Sequence, residues 1–312
     1  MTIPETGVLL PDYVEAQWLD SVLKRAGALS EIASVTAVAH EPCGTGQLAD
    51  TFRFTVRYAP DGAGPASVVG KFAAQDTVSR EFGRQSGFYR TEIRFYAELA
   101  ADLHALVLPR VYHAELAPNE IDFVLLMEDL APARTVDQLT GVTPDEAALV
   151  VEQLAALHAG SWGNTRLAQA GWLRGAVDSF GRITDGFPET VAAFPERFGD
   201  LIPEADIAQA ARLNEHLDAW RAIIDTPLCL WHSDARADNL LFDAKDGRLP
   251  VVLLDWQGVG YGYGPIDLAY FLGTSLTVED RRRCERDLVA LYQRRLAALG
   301  VRDYSAEQAW AD

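Results

Sequence analysis

Between Cys229 and Phe242 the chain reads Cys-Leu-Trp-His-Ser-Asp-Ala-Arg-Ala-Asp-Asn-Leu-Leu-Phe, placing an acid, Asp234, five positions before an amide, Asn239. Thirteen positions after Phe242, the apolar run Val251-Val252-Leu253-Leu254 ends on a second acid, Asp255. Asp-x4-Asn alone reads more simply as an Asx-turn pair before a strand, and a lone Asp255 as a cap. A carboxylate at the end of an apolar strand is costly, however, unless it is hydrogen-bonded or bound to metal. With His232, Asp234, Asn239 and Asp255 together, the spacing favours phosphoryl transfer. That reaction needs one carboxylate to orient a hydroxyl and take its proton, and hard oxygen ligands for Mg2+.

Such a site needs partners for phosphate, and the front half holds candidates. Gly44-Thr45-Gly46-Gln47-Leu48 lies between two predicted strands, where backbone N–H groups can approach phosphate; a Gly-x-Gly turn alone is usually just a turn. Lys71 is a single cation inside the apolar strand Val68-Val69-Gly70-Lys71-Phe72. Helical periodicity over about 84–102 sets Phe88, Glu92, Phe95 and Leu99 on one face, leaving Glu92 as an acid in an apolar stripe. A Lys71–Glu92 pair answers both anomalies and aims an ammonium at nucleotide phosphates.

The elements that must position these residues fall into two halves. A first helix is predicted from Asp12, with Asp12 and Glu15 as a capping box, Val14, Trp18, Val22 and Ala26 on one face, and Gly27 as its stop. Strands are predicted at 34–41, 51–58 and 67–73, with Asp61-Gly62-Ala63-Gly64-Pro65 as a hairpin loop, and again at 107–115 and 121–127. Glu128-Asp129-Leu130-Ala131-Pro132 marks a change of pattern. Beyond it, Thr143-Pro144-Asp145-Glu146 opens a helix to about Ala159, and another is expected over 203–224. Ser305 and Gln308 look like a capping box with seven residues after Ser305. That is either a docked final turn or the start of a longer helix. The expectation is an N-lobe over 1–129, a hinge near 127–132, and a helical C-lobe over 130–312, with a cleft between them.

Composition narrows the function classes. The 312 residues are 49% apolar and 23% charged, as in ordinary globular proteins, with a net charge of −18. That charge argues against a non-specific nucleic-acid grip. Cys43, Cys229 and Cys284 are far apart and lack CxxC spacing, so they are read as reduced buried thiols, with neither a zinc site nor a disulfide framework. No signal-like N-terminus or membrane-length apolar run occurs, and a cytoplasmic location is expected.

At this point a resemblance becomes specific. His232-Ser-Asp-Ala-Arg-Ala-Asp-Asn239, Asp255-Trp-Gln and Gly264-Pro-Ile-Asp-Leu-Ala269 resemble the aminoglycoside phosphotransferase and choline kinase-like group of small-molecule kinases. The look is closest to its ecdysteroid-kinase-like branch and bacterial relatives, and it covers nearly the whole chain. The resemblance implies an α+β, two-lobed protein-kinase-like fold, with an antiparallel N-lobe sheet and helix and a mainly helical C-lobe. It implies Asp234 as catalytic base, Asn239 and Asp255 as Mg2+ ligands, and Lys71 with Glu92 as the phosphate-positioning pair. It further implies that backbone near Met127, Glu128 and Leu130 holds the adenine of ATP, with GTP as the alternative nucleotide, while Gly44 and Gly46 stay the candidates for its phosphates. Asp267 would tie a C-lobe helix to the catalytic loop. Family members often carry Gly where this chain has Ser233, and its phosphate loop has only two glycines.

Eleven residues separate Asp255 from Asp267, too few for the peptide-docking segment of a protein kinase, and no Ala-Pro-Glu follows. A small-molecule alcohol is therefore the expected acceptor. The segment 171–203 carries Trp172, Leu173, Phe180, Ile183, Phe187, Phe194 and Phe198, which suits an apolar or amphipathic acceptor, sterol-like or macrolide-like, better than a polycation; the same aromatics also suit a packed core. Three other readings stand beside this one: an aminoglycoside phosphotransferase, a nucleotide-binding module without transfer, and a nucleotidyl transferase on the same fold.

Overall fold

The computed structural model describes residues 10–44, 46, 48–175, 184–223 and 228–312. Alternating apolar positions build a five-stranded antiparallel sheet, in the order β1-β2-β3-β5-β4, from β1 (Ser34–Pro42), β2 (Ala49–Ala59), β3 (Ser67–Ala73), β4 (Val111–Leu116) and β5 (Phe123–Glu128). Residues 107–110, expected in β4, precede it, and the Val107 N–H bonds Gln153 Oε1 at 2.8 Å instead.

The first helix differs from its sequence reading. Pro11–Tyr13 form one 3-10 turn, and α1 (Ala16–Arg25) starts only after Glu15, which makes no side-chain cap. Asp12 pairs with His40 Nε2 at 3.3 Å, so a tertiary contact replaces the expected capping box. The buried face is Leu19, Val22 and Leu23. These pack with Phe54, Val68 and Phe72 against the outer face of the sheet.

The expected helix over 84–102 is broken. Thr77–Gln85 form α2, capped by Asp76, and Gly87 at φ +68 turns the chain before α3 (Phe88–Arg94). A left-handed residue ends an α-helix, and glycine adopts that conformation without steric penalty. A π turn over Phe95–Leu99 continues α3.

Beyond β5 the chain is mostly helical. The short strand β6 (Arg134–Thr135) is followed by α4 (Pro144–Ala159), which carries the full Thr143/Glu146 capping box. Then come β7 (Arg174–Gly175), α5 (Phe187–Phe198), α6 (Glu204–Glu215) and α7 (Leu217–Ile223). The helix expected over 203–224 is thus two, divided at His216, whose φ of −118 is not helical. Two three-stranded sheets use β8 (Leu228–Trp231), β9 (Leu240–Asp243), β10 (Leu249–Leu253) and β11 (Gly260–Tyr263), in the orders β10-β9-β6 and β7-β11-β8. The helices α8 (Pro265–Ser275), α9 (Val278–Ala298) and α10 (Ala306–Ala311) finish the chain. Ser305 caps α10, and Ala309 is buried in the main core.

The main core runs across both halves. Tyr89, Ile93 and Phe95 of the N-lobe share one apolar cluster with Val150, Leu154 and Trp256. Cys229 is buried, but Cys43 and Cys284 are half-exposed, which corrects the expectation of buried thiols for these two; all three are free.

At the end of β5, Asp129 accepts bonds from Arg53 Nε (2.7 Å), Ser67 Oγ (2.6 Å) and the Ala131 N–H (3.0 Å). Burial raises its carboxyl, but these bonds outweigh that and hold its pKa below the usual 3.8. A depressed carboxylate contributes stability that is present above pH 3.8 and lost as pH falls through the folded value. Asp129→Asn is therefore expected to lower unfolding stability by about 1.5 to 3 kcal/mol at neutral pH. The gap from wild type should close below pH 3.8 in urea titrations.

Candidate active site

Strand β3 alternates faces: Val68 and Phe72 are buried under α1, and Lys71 points the other way. There its Nζ meets three carboxylate oxygens, Glu92 Oε1 (2.9 Å), Glu92 Oε2 (2.7 Å) and Asp255 Oδ1 (2.8 Å). The Lys71–Glu92 pair expected from sequence is formed; the Lys71–Asp255 bond is an addition. Burial works against the ammonium, yet Glu92 and Asp255 together outweigh it and push its pKa up, so Lys71 stays charged. Burial, opposed by Lys71, raises the Glu92 carboxyl.

Asp255 follows β10 at φ +65 and reaches Lys71 from the far half of the chain. Its second oxygen accepts Gln257 Nε2 at 3.1 Å. The next residue, Trp256, stacks on Phe95 with ring centroids 4.1 Å apart and planes 8° from parallel. This stack ties the Glu92 helix to the Asp255 segment.

The loop carrying Asp234 is held from behind. Asp267, at 1% exposure, accepts the His232 N–H (2.5 Å) and the Ser233 N–H (2.8 Å), as the tie to a C-lobe helix requires. Asp267 is backed by His158 Nε2 at 3.2 Å, whose Nδ1 meets Tyr292 Oη at 2.7 Å. His232 Nε2 bonds the Leu254 carbonyl at 2.9 Å, joining this loop to the end of β10.

Ser233 lies at φ +68, which accounts physically for glycine at this position, and its Oγ donates to the Gly258 carbonyl at 2.7 Å. A side chain on Gly258 would collide with that Oγ. The left-handed strain costs about 1 kcal/mol, and the hydrogen bond returns a similar amount. Ser233→Gly should thus keep turnover within about fivefold, the rate equivalent of 1 kcal/mol. Ser233→Val, β-branched and without the bond, should lose far more in the same assay.

Asp234 itself is contacted on both oxygens. Asn239 Nδ2 donates to Oδ2 at 2.9 Å and to the Asp234 carbonyl at 2.9 Å. Arg236 Nε is 3.1 Å from Oδ1, and Tyr270 Oη is 3.4 Å from it. With its nitrogen committed to Asp234, Asn239 has only its carbonyl oxygen to offer elsewhere. That donor set, one amide oxygen and one carboxylate, fits Mg2+, which takes one or two protein ligands and completes its shell with phosphate and water. Among the described residues no cluster of three or more His, Cys, Asp or Glu is built for a metal by itself.

The expected nucleotide contacts are less closely defined. Gly44 sits at φ +83 over Thr51, which pairs with Lys71 across β2 and β3. A Cβ on Gly46 would come within 2.9 Å of the Ala49 carbonyl. Thr45 and Gln47 lie outside the described residues. Where a hinge is expected, the Met127 and Glu128 backbone completes β5, Glu128 pairs with Lys245 at 3.0 Å, and the Leu130 carbonyl accepts the Lys245 N–H at 3.1 Å.

The segment 171–203 divides. Trp172 is buried in the main core and bonds Glu98, so it is a packing residue. Phe194 and Phe198 are half-buried and touch one another at 5.0 Å on α5. Phe180, Ile183, Asp178 and Arg182 lie outside the described residues. A cavity of about 460 Å3 lined by Arg90, Arg94, Glu98 and Trp172 includes none of the constellation.

Sequence reasoning missed Arg236, Tyr270, Asp129 and the Lys71–Asp255 bond. Arg236 stood inside the quoted motif and carried a signal, a cation two positions from the acid. Tyr270 carried none beyond following the Asp267 motif by three positions.

Comparisons with known proteins come down to one family and one fold. Residues 60–310 match the profile of the phosphotransferase enzyme family, APH. A search of curated protein sequences gives no match. Among solved structures, the chain is similar to wild-type aminoglycoside 2'-phosphotransferase-IIIa in its GDP complex, at 13% identity and TM-score 0.51, covering 95% of this chain and 90% of that one. It is similar to choline kinase from Cryptosporidium parvum Iowa II at 9% identity and TM-score 0.51, covering 89% and 79%. At such identities the likeness speaks for the fold, a two-lobed α+β kinase-like architecture, and it does not separate branches within the family.

Proposed function

The chain belongs to the phosphotransferase enzyme family and is a small-molecule kinase, and on that premise we propose that it moves the γ-phosphoryl group of ATP or GTP to a hydroxyl of a small apolar or amphipathic molecule. The observation that carries the reading is the convergence of Lys71, Glu92 and Asp255 through bonds of 2.7 to 2.9 Å, with Asp234 bonded to Asn239 nearby in the chain.

In this reading Asp234 orients the acceptor O–H and takes its proton as charge moves to phosphorus. Asn239 and Asp255 would hold Mg2+, which when bound neutralises charge on the phosphates. Lys71, steadied by Glu92, directs its ammonium at the same phosphates. Gly44 and Gly46 bring backbone N–H groups to them, and Met127, Glu128 and Leu130 hold the base. The lobe boundary is placed at 129/130, within the hinge 127–132.

Two features favour an apolar or amphipathic acceptor over a polycation. A guanidinium, Arg236, sits beside Asp234, where a cationic acceptor would be repelled. The half-buried Phe187, Phe194 and Phe198 of α5 offer an apolar surface. No described helix is long and apolar enough to cross a membrane.

The test is consumption of Mg-ATP and Mg-GTP against aminoglycosides, macrolides, sterols and amino alcohols, with mass spectrometry of the acceptor. A gain of one phosphoryl unit is expected. A nucleotidyl adduct, or nucleotide binding with no turnover on any acceptor, would overturn the proposal.

A further inference from the structure

The three bonds to the Asp234 side chain differ in how firmly each partner is held. Asn239 is fixed at both ends of its grip, on Oδ2 and on the Asp234 carbonyl, each at 2.9 Å. Arg236 is anchored elsewhere too, by Gln138 Oε1 (2.7 Å) and Asp238 Oδ2 (2.9 Å) on its Nη1. Tyr270, a residue 38% exposed, reaches Oδ1 by the longest of the contacts, 3.4 Å. Its helix does not move freely: Asp267, one turn earlier on α8, is bonded to the loop that carries Asp234. The phenol is therefore delivered to the carboxylate by the same clamp that shapes the loop, yet its own bond is the easiest to displace.

We propose that the Tyr270 hydroxyl occupies the station of the acceptor hydroxyl on Asp234 Oδ1, and that the acceptor binds by displacing it and lying against the ring. An O–H donor on the base oxygen is what an acceptor alcohol must supply. Burial foremost, then the Asp234 charge, raises the phenol's pKa, so it is a proton donor at neutral pH. Water must make the same displacement, so Tyr270 holds down hydrolysis of bound nucleotide when no acceptor is present. The displacing molecule has the chemistry of an uncharged alcohol with an apolar face: the ring gives it a wall, and Arg236 disfavours a cation beside the reacting oxygen.

This inference rests on the reading of Asp234 as the residue that receives the acceptor hydroxyl. The experiment separates the two. Phosphate release from Mg-ATP without acceptor is measured for wild type, Asp234→Asn, Tyr270→Phe and the double variant. Losing one hydrogen bond of this kind predicts a rise of about two- to tenfold in Tyr270→Phe, and no rise when Asp234→Asn is also present. A Tyr270→Phe rate equal to or below wild type, with Asp234→Asn impaired, overturns the role of Tyr270 alone. A rise that persists in the double variant also overturns it, because the effect would not run through Asp234. Unimpaired hydrolysis in Asp234→Asn overturns the reading of Asp234 itself. Tyr270→Phe keeps the ring, and a thermal midpoint unchanged from wild type shows that the fold is intact.

Discussion

Asp234→Asn is expected to lower phosphoryl transfer roughly 100- to 10,000-fold, the usual worth of a positioned general base, with nucleotide affinity little changed. The substitution is nearly isosteric, so the local bonds tell what else moves. The new amide's oxygen can still accept Asn239 Nδ2, now at 2.9 Å from Oδ2, keeping Asn239 in place. Its nitrogen would face Arg236 Nε, at present 3.1 Å from Oδ1, and that charge pair is lost. Arg236 remains tied to Gln138 and Asp238, which limits the rearrangement. Calorimetry with Mg-ATP and single-turnover rates read the two effects separately. Turnover within threefold of wild type would remove Asp234 from its role.

Lys71→Met should have the largest effect on both stability and activity. It leaves Glu92, 4% exposed, and Asp255 facing one another without a cation. Breaking a buried pair from one side costs about 3 to 5 kcal/mol. Lys71 retains 15% exposure, so the lower end applies. Adding Glu92→Gln removes the stranded carboxylate and should restore much of the stability in urea unfolding. Activity should stay lost, because under the proposed reading the ammonium serves the phosphates. A double variant no more stable than Lys71→Met would mean that the buried carboxylate is not the source of the penalty. A Lys71→Met enzyme with normal affinity for nucleotide would remove Lys71 from the phosphate site.

What could be read from the sequence follows the range of the interactions. The Thr143/Glu146 box closes within one turn, and α4 begins where that box is written. Lys71 and Glu92 were each conspicuous as a charge in an apolar element, and burial of one charge demands a partner. The bond from Lys71 to Asp255 joins residues 184 positions apart, and nothing in either segment names the other as its partner. Asp12 shows the opposite error: its spacing to Glu15 is that of a cap, but the chain turns at Pro11 and a contact with His40 prevails. At Gly87 the signal was present, a glycine inside a helical pattern, and the periodicity on either side obscured it. The acid and amide of the site were legible because phosphoryl transfer restricts residue type. Tyr270 was not, since a tyrosine on a helix has many ordinary reasons to be there.

The two faces of the N-lobe sheet have different fates when the protein breathes. On the outer face Leu19, Val22 and Leu23 meet Phe54, Val68 and Phe72 in a cluster of their own. On the inner face Tyr89 and Phe95 belong to the same apolar body as Leu154 and Trp256. Local opening follows contiguous packed units. The α1 layer can thus detach and reclose as a small cooperative unit, exposing its amides to exchange, while α3 opens only together with the helical half. The Glu92 helix is in that sense a lodger of the C-lobe, and its amides are expected to exchange together with those of the helical half.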